Sequence, residues 1–217
     1  MDQIKKVLLG LLGAVLVVTM LSMSGCNPWG GNDDDTKNPP KPAPIATGYE
    51  ITVYNGATAS KVEAESYTLD SDAISYQLKG DKTSPAQTAK GAWVVKHRSW
   101  KAAAGEQRYE VTLFSGGKAV GSWKVHGFST DSQSVLLIPA DGSEVLRVCG
   151  DVVVKTIKPG KAEKATSKVT VYNGDSAVYQ LELASSIVVG KHLQGEAADG
   201  SGTVWIWGNY KDIAFVR

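Results

Sequence analysis

Three histidines (His97, His126, His192) and two cysteines (Cys26, Cys149) are the side chains of this chain best suited to chemistry near neutral pH. A catalytic constellation needs a nucleophile, a base and an orienting group brought together. The histidines fall one to each third of the body, which separates them. No HExxH, CxxC, GxSxG or GxxxxGK[ST] pattern occurs. One histidine per third and no cysteine pair supply too few ligands for a structural zinc ion. Asp141-Gly142 and Asp199-Gly200 are isolated acidic turns without the Asp spacing of a calcium loop. Cys149, among Val148 and Val152, reads as a small buried hydrophobe. The sequence therefore predicts no catalytic residue, no metal site and no cofactor, and an enzyme is not expected.

Binding chemistry is the alternative. Trp205 and Trp207 are two apart, so on a strand they share one face, and Val204 and Ile206 share the other. Such a strand is either central in the fold or lies under a neighbouring unit. The core reading of the two indoles is favoured over an aromatic platform for a sugar ring or peptide. Lys96-His97-Arg98, with Trp100 and Lys101, is the one basic-aromatic cluster. It is either a contact for a phosphate or glycan or a solvated strand end. Candidate contact residues are thus Trp205, Trp207, Lys96, Arg98 and Trp100.

The elements that must carry these residues are strands. Ile51-Thr52-Val53-Tyr54-Asn55-Gly56, Val111-Thr112-Leu113-Phe114-Ser115-Gly116 and Val169-Thr170-Val171-Tyr172-Asn173-Gly174 begin 60 and 58 residues apart. Each is an alternating strand running into a Gly turn, and Asn-Gly suits a hairpin because both residues tolerate φ > 0. The repeat predicts an all-β fold of three tandem five-stranded modules, over residues 48–104, 105–158 and 166–217. The first copy matches to Leu78, then carries a polar insertion, Lys79 to Lys90, and its last strand is ill defined. Five short strands must hide both edges and an apolar face, so each module is expected as a small barrel or compact sandwich. The strand order resembles SH3-like or Sm-like barrels, a likeness that carries no function. One larger β-sandwich from the same strands is the alternative. Modules this small are marginally stable alone and are expected to pack on one another.

Composition narrows the partners. Apolar residues make up 42% of the chain, enough for a core. The net charge is +1, and Lys5, Lys6 and Asp2 account for it, which leaves the remainder neutral. A neutral body lacks the basic face that releases counterions from nucleic acid, and lacks charge for docking on anionic lipid.

The N-terminus has its own pattern. Lys5 and Lys6 precede an apolar run from Val7 to Met20, which is short for a membrane span and suited to a secretory signal. An uncleaved anchor is the alternative. Met23-Ser24-Gly25-Cys26 resembles the lipobox of bacterial lipoproteins, with Met23 where that family usually has Leu. The resemblance implies cleavage after residue 25 and acylation of Cys26. Asn27 in place of Asp implies delivery to the outer membrane. Residues 26–47 form a polar tether containing Asp33-Asp34-Asp35 and Asn38-Pro39-Pro40-Lys41-Pro42, a semi-rigid spacer. The expected function is that of a membrane-anchored, non-enzymatic structural, assembly or protein-interaction component of the envelope. The alternative is binding of glycans or peptides through exposed tryptophans.

Overall fold

The structure, a computed structural model, describes residues 48–70, 73–131 and 134–215. Cys26, the apolar run and the tether lie outside the described residues. The described chain is all-β. Its first five strands are β1 (Tyr49–Asn55), β2 (Thr58–Asp70), β3 (Ala73–Leu78), β4 (Gln87–Lys90) and β5 (Ala92–Lys101). The next five are β6 (Tyr109–Ser115), β7 (Lys118–Thr130), β8 (Val135–Pro139), β9 (Glu144–Cys149) and β10 (Asp151–Thr156). The last five are β11 (Ser167–Asn173), β12 (Ser176–Val189), β13 (His192–Ala197), β14 (Thr203–Trp207) and β15 (Asn209–Ala214).

All fifteen join in one antiparallel sheet, ordered β15-β11-β12-β13-β14-β10-β6-β7-β8-β9-β5-β1-β2-β3-β4. Read in fives, that order repeats: fifth, first, second, third, fourth strand of each set. No set closes on itself, so of the two forms expected the barrel is not made. The fifth strand of one set pairs instead with the fourth strand of the next, β5 with β9 and β10 with β14. The register is the same at both junctions. Trp93 lies opposite Cys149 and Val94 opposite Val148, as Val152 lies opposite Trp207 and Val153 opposite Ile206.

Each set wraps its own core through one device. The long second strand pairs with the first strand along its opening half and with the third along its closing half. The ladder slips by one residue at Ala64/Ser66, Val125/Gly127 and Leu183/Ser185. A bulge of this kind bends a strand and raises its twist. Ala64, Val125 and Leu183, at the three bends, are fully buried. The cores are thereby separate: Ile51, Ile74, Trp93 and Val95 in the first, Val111, Leu137, Val148 and Val154 in the second, Val169, Leu183, Leu193 and Ile206 in the third.

The junction strands serve two cores at once. Along β5, Trp93 and Val95 face the first core, while Ala92 and Val94 face the second. Along β10, Val152 and Val154 face the second and Val153 the third. Alternate residues point to opposite faces, so a strand buried on both sides must be apolar throughout. Removing one set would expose Val153 or Val94, each worth roughly 1.5–3 kcal/mol of burial. The body Pro44–Arg217 is accordingly one compact unit.

Three details differ from the sequence expectation. The stretch Lys79–Lys90 is not wholly an insertion, since its end forms β4, and the first set has a regular fifth strand, β5. β4 is short and polar, which hid it. Ser186–Val189 does not open a third strand in the last set, because it continues β12 beyond the bulge. The hairpin turns also sit one residue later than Asn-Gly. Asn55 and Asn173 close their ladders opposite Thr58 and Ser176, and the loops are Gly56-Ala57 and Gly174-Asp175. Only the glycine has positive φ in those two, 59° and 60°, the φ pattern of a type II′ turn. In the middle copy both loop residues, Gly116 and Gly117, are left-handed.

A second set of glycines turns each fourth strand into the fifth: Gly91, Gly150 and Gly208, at φ 90°, 131° and 101°. A Cβ on Gly208 would collide with the Asp151 carboxylate, whereas one on Gly174 (φ 60°) meets nothing within 4 Å. Gly208→Ala is expected to cost about 2 kcal/mol or more, from backbone strain plus collision, and Gly174→Ala about 1 kcal/mol from strain alone. Urea denaturation of the two variants checks this order. Equal losses would mean that the approach of Asp151 to Gly208 adds nothing.

Candidate functional site

The first-to-second-strand turns of the three sets meet. A Cβ on Gly116 would collide with the backbone of Gly56 and Ala57, and one on Gly117 would lie 3.5 Å from the Ser176 side chain. The Gly117 N–H donates to Asn173 Oδ1 (2.9 Å), and Asn173 Nδ2 donates to Asp151 Oδ2 (2.7 Å). The Asn209 N–H donates to Asp151 Oδ1 (2.9 Å). One carboxylate at the start of β10 thus ties the turn of the third set to the start of its fifth strand. Both of its oxygens are engaged. Charge-assisted bonds of this kind are the stronger class of hydrogen bond.

Around these turns opens a crevice of about 960 Å³, walled by all three sets. Small-molecule and peptide sites are commonly clefts of ~300–1,000 Å³ with mixed walls. Tyr54, Asn55 and Lys90 come from the first set, Cys149 and Asp151 from the second, Lys191 and Trp207 from the third. Lys191 is exposed and makes no ion pair among the described residues. The second crevice carboxylate, Asp131, accepts from Ser134 and pairs with Arg147. Negative charge at the site is therefore committed internally, whereas Lys191 on its wall is exposed.

The candidate contact residues do not form one patch. Trp205 and Trp207 stand at the junction of the second and third sets. Both are half-buried and pack against the second core. The Trp205 ring lies 5.9 Å from Tyr109 and 5.3 Å from Phe128, and His192 stacks on Trp207 at 4.8 Å. These indoles are mainly filling between neighbouring sets. Only Trp207 also reaches the crevice wall. Lys96, Arg98 and Trp100 lie at the other junction, and both cations are paired. Lys96 Nζ is 3.3 Å from Glu144, and Arg98 Nη2 donates to Glu50 (2.6 Å) and Glu63 (2.7 Å). Trp100 is 47% exposed and meets His97 edge-on at 5.7 Å. Cys149 is half-buried against the first core and on the crevice wall.

The histidines are apart, as their spacing predicts. His97 Nε2 and Tyr67 Oη share a hydrogen bond of 3.2 Å. His126 Nδ1 is bonded to the Glu106 carbonyl (3.1 Å). Among the described residues, no group of three His, Cys, Asp or Glu side chains gathers as for a metal ion. Sequence reading missed the crevice residues Asp151 and Lys191. The signal that locates the crevice is the Gly91, Gly150, Gly208 series, spaced 59 and 58 residues like the hexapeptides, because it marks the other turns at the same end. Comparison with known proteins yields nothing: no family model, no curated protein and no solved structure matches the chain.

Two measurements probe the junctions. Trp205→Ala is expected to lower stability by about 2–3 kcal/mol, the large-to-small cost for a half-buried indole. An unchanged urea midpoint would mark Trp205 as a free platform instead. His97 sits among Tyr49, Tyr67 and Trp100, and burial, then the Arg147 guanidinium, hold its pKa below the ordinary 6.5. The unfolded chain then binds the proton first, so stability is full above 6.5 and falls as pH drops through that value. The thermal midpoint should fall across that window, and by less in His97→Phe. An identical fall in both would remove His97 as the source.

Proposed function

We propose that the chain is a lipid-anchored component of the bacterial envelope that works without chemistry of its own, as a structural or interaction protein whose partner seats in the crevice. The Cys26 pattern supports the anchor. One observation carries the contact surface: the crevice takes its walls from all three sets, so only the assembled sheet presents it. Its carboxylates are already bonded and Lys191 on its wall is exposed, which suits a partner offering acceptors or negative charge. Binding of a glycan or peptide is the second reading, favoured by Trp207, whose indole lies on the same wall with His192 stacked on it.

One affinity experiment from detergent-solubilised membranes tests both parts. Wild type, Cys26→Ser, and the crevice variants Asn55→Trp and Lys191→Glu are compared for fractionation and for bound partners. Cys26→Ser is expected to leave the membrane fraction. Asn55→Trp and Lys191→Glu are expected to stay in it, with their partners lost. Unchanged fractionation of Cys26→Ser with cleavage intact would refute the anchor. Undiminished capture by both crevice variants would refute the contact surface.

A further inference from the structure

Among the described residues, the two outermost strands, β4 and β15, are paired on one side only. β4 is a fourth strand and β15 a fifth strand, which are the two kinds that pair at the internal junctions. Joined in the shared register, β15 of one copy and β4 of the next would put Lys211 opposite Ala89 and Asp212 opposite Thr88. By its edges alone the sheet could extend without limit, a hazard of open sheets.

The side chains at those edges say otherwise. Aligned through their pairing with β1, β6 and β11, Val94, Val153 and Lys211 hold one position, and Val95, Val154 and Asp212 the next. The two valines of the first position are 7% and 4% exposed, inside the neighbouring set's core. A further unit would drive the Lys211 ammonium into that place with no carboxylate opposite it. The receiving aromatics are also gone. Tyr49 and Tyr67 meet at 4.8 Å and Tyr109 and Phe128 at 5.0 Å, but the third set has Ser167 and Ser186 there. The Ser186 hydroxyl donates to Asp212 Oδ2 (2.8 Å), a polar pair where the second set has Phe128 and Val154. At the other end, Thr88 and Lys90 replace the inserting residues Arg147 and Cys149, or Trp205 and Trp207. Ile213 on β15 and Phe215 just after it are exposed, so the edge is barred by charge at mid-strand and not by loss of apolar surface.

We infer that the body is a finite, capped array of three, whose free edges reject another copy through Thr88 and Lys90 on β4 and Lys211, Asp212, Ser167 and Ser186 beside β15. Copies of the chain do not add head to tail. This stands independently of the function proposed above. Repeat arrays in general need polar terminal units to stay soluble.

The test converts each edge separately in the full chain, purified in detergent. One variant carries Thr88→Trp and Lys90→Trp; the other carries Ser167→Tyr, Ser186→Phe, Lys211→Val and Asp212→Val. Each alone keeps one barred edge and is expected to sediment as a single copy, like wild type. Mixed in equal amounts they are expected to give a one-to-one pair, about a twofold rise in mass. A mixture that stays single, with both variants folded by circular dichroism, would overturn the inference. So would wild type that oligomerises, with amine cross-links between Lys90 of one copy and Lys211 of another, a readout that needs no variant to fold.

Discussion

The pairing of β5 with β9 and of β10 with β14 is the constraint on which the rest of the molecule depends. Each pairing places two strands between two cores, so the residues at the middle of β5 and β10 must suit one interior or the other. Ala92 to Val95 and Val152 to Val154 are apolar without a break for that reason. The hydrogen bonds set the register, and the alternation of faces then assigns each side chain to a core. A five-strand set of this size hides little surface and would be only marginally stable by itself. Sharing strands removes the deficit, and explains why the three sets form one compact body.

The same pairing explains the crevice. Joining the sets in one repeated register brings their hairpin turns together at one end, close enough that only glycine fits at residue 116. The contact is then fastened by Asn173, which accepts from the Gly117 N–H and donates to the Asp151 carboxylate across the second junction. Its counterpart at the first junction is Ala92, aligned with Asp151 through β1 and β6, which has no acceptor to offer. The repeat is thus symmetric in backbone and asymmetric in side chains. The asymmetry supplies the polar groups of the candidate site and the caps at the outer edges.

Much of the strand pattern was legible because alternation and glycine turns are local properties. The third copy, with Val169, Val171 and the turn at Gly174, shows both within a few residues. The short strand β4 was not legible: Gln87, Thr88, Ala89 and Lys90 lack an apolar face because, among the described residues, no strand pairs with their outer side. The unbroken course of β12 through Leu183 was hidden too, since its bulge interrupts the period that marks a strand. The pair Trp205 and Trp207 was readable as apolar on both faces with Val204 and Ile206, and the structure supplies the reason in the second core on one side and the third on the other. The cluster of Lys96 and Arg98 looked open in sequence because Glu144, Glu50 and Glu63, which neutralise it, come from other strands.

The sequence by itself determined that the body is all-β, that it is written in three related stretches, and, to within one residue, where the turns after the three hexapeptides fall. These follow from side-chain alternation and from the conformational freedom of glycine, both of which act over a few residues. The tertiary structure alone decided that the three sets share strands and do not close, that their turns gather around one crevice, and that Lys211 and Asp212 stand at the outer edge where Val153 and Val154 stand at the second junction. Those outcomes rest on which strand lies beside which, a relation between residues some sixty positions apart that local pattern does not encode.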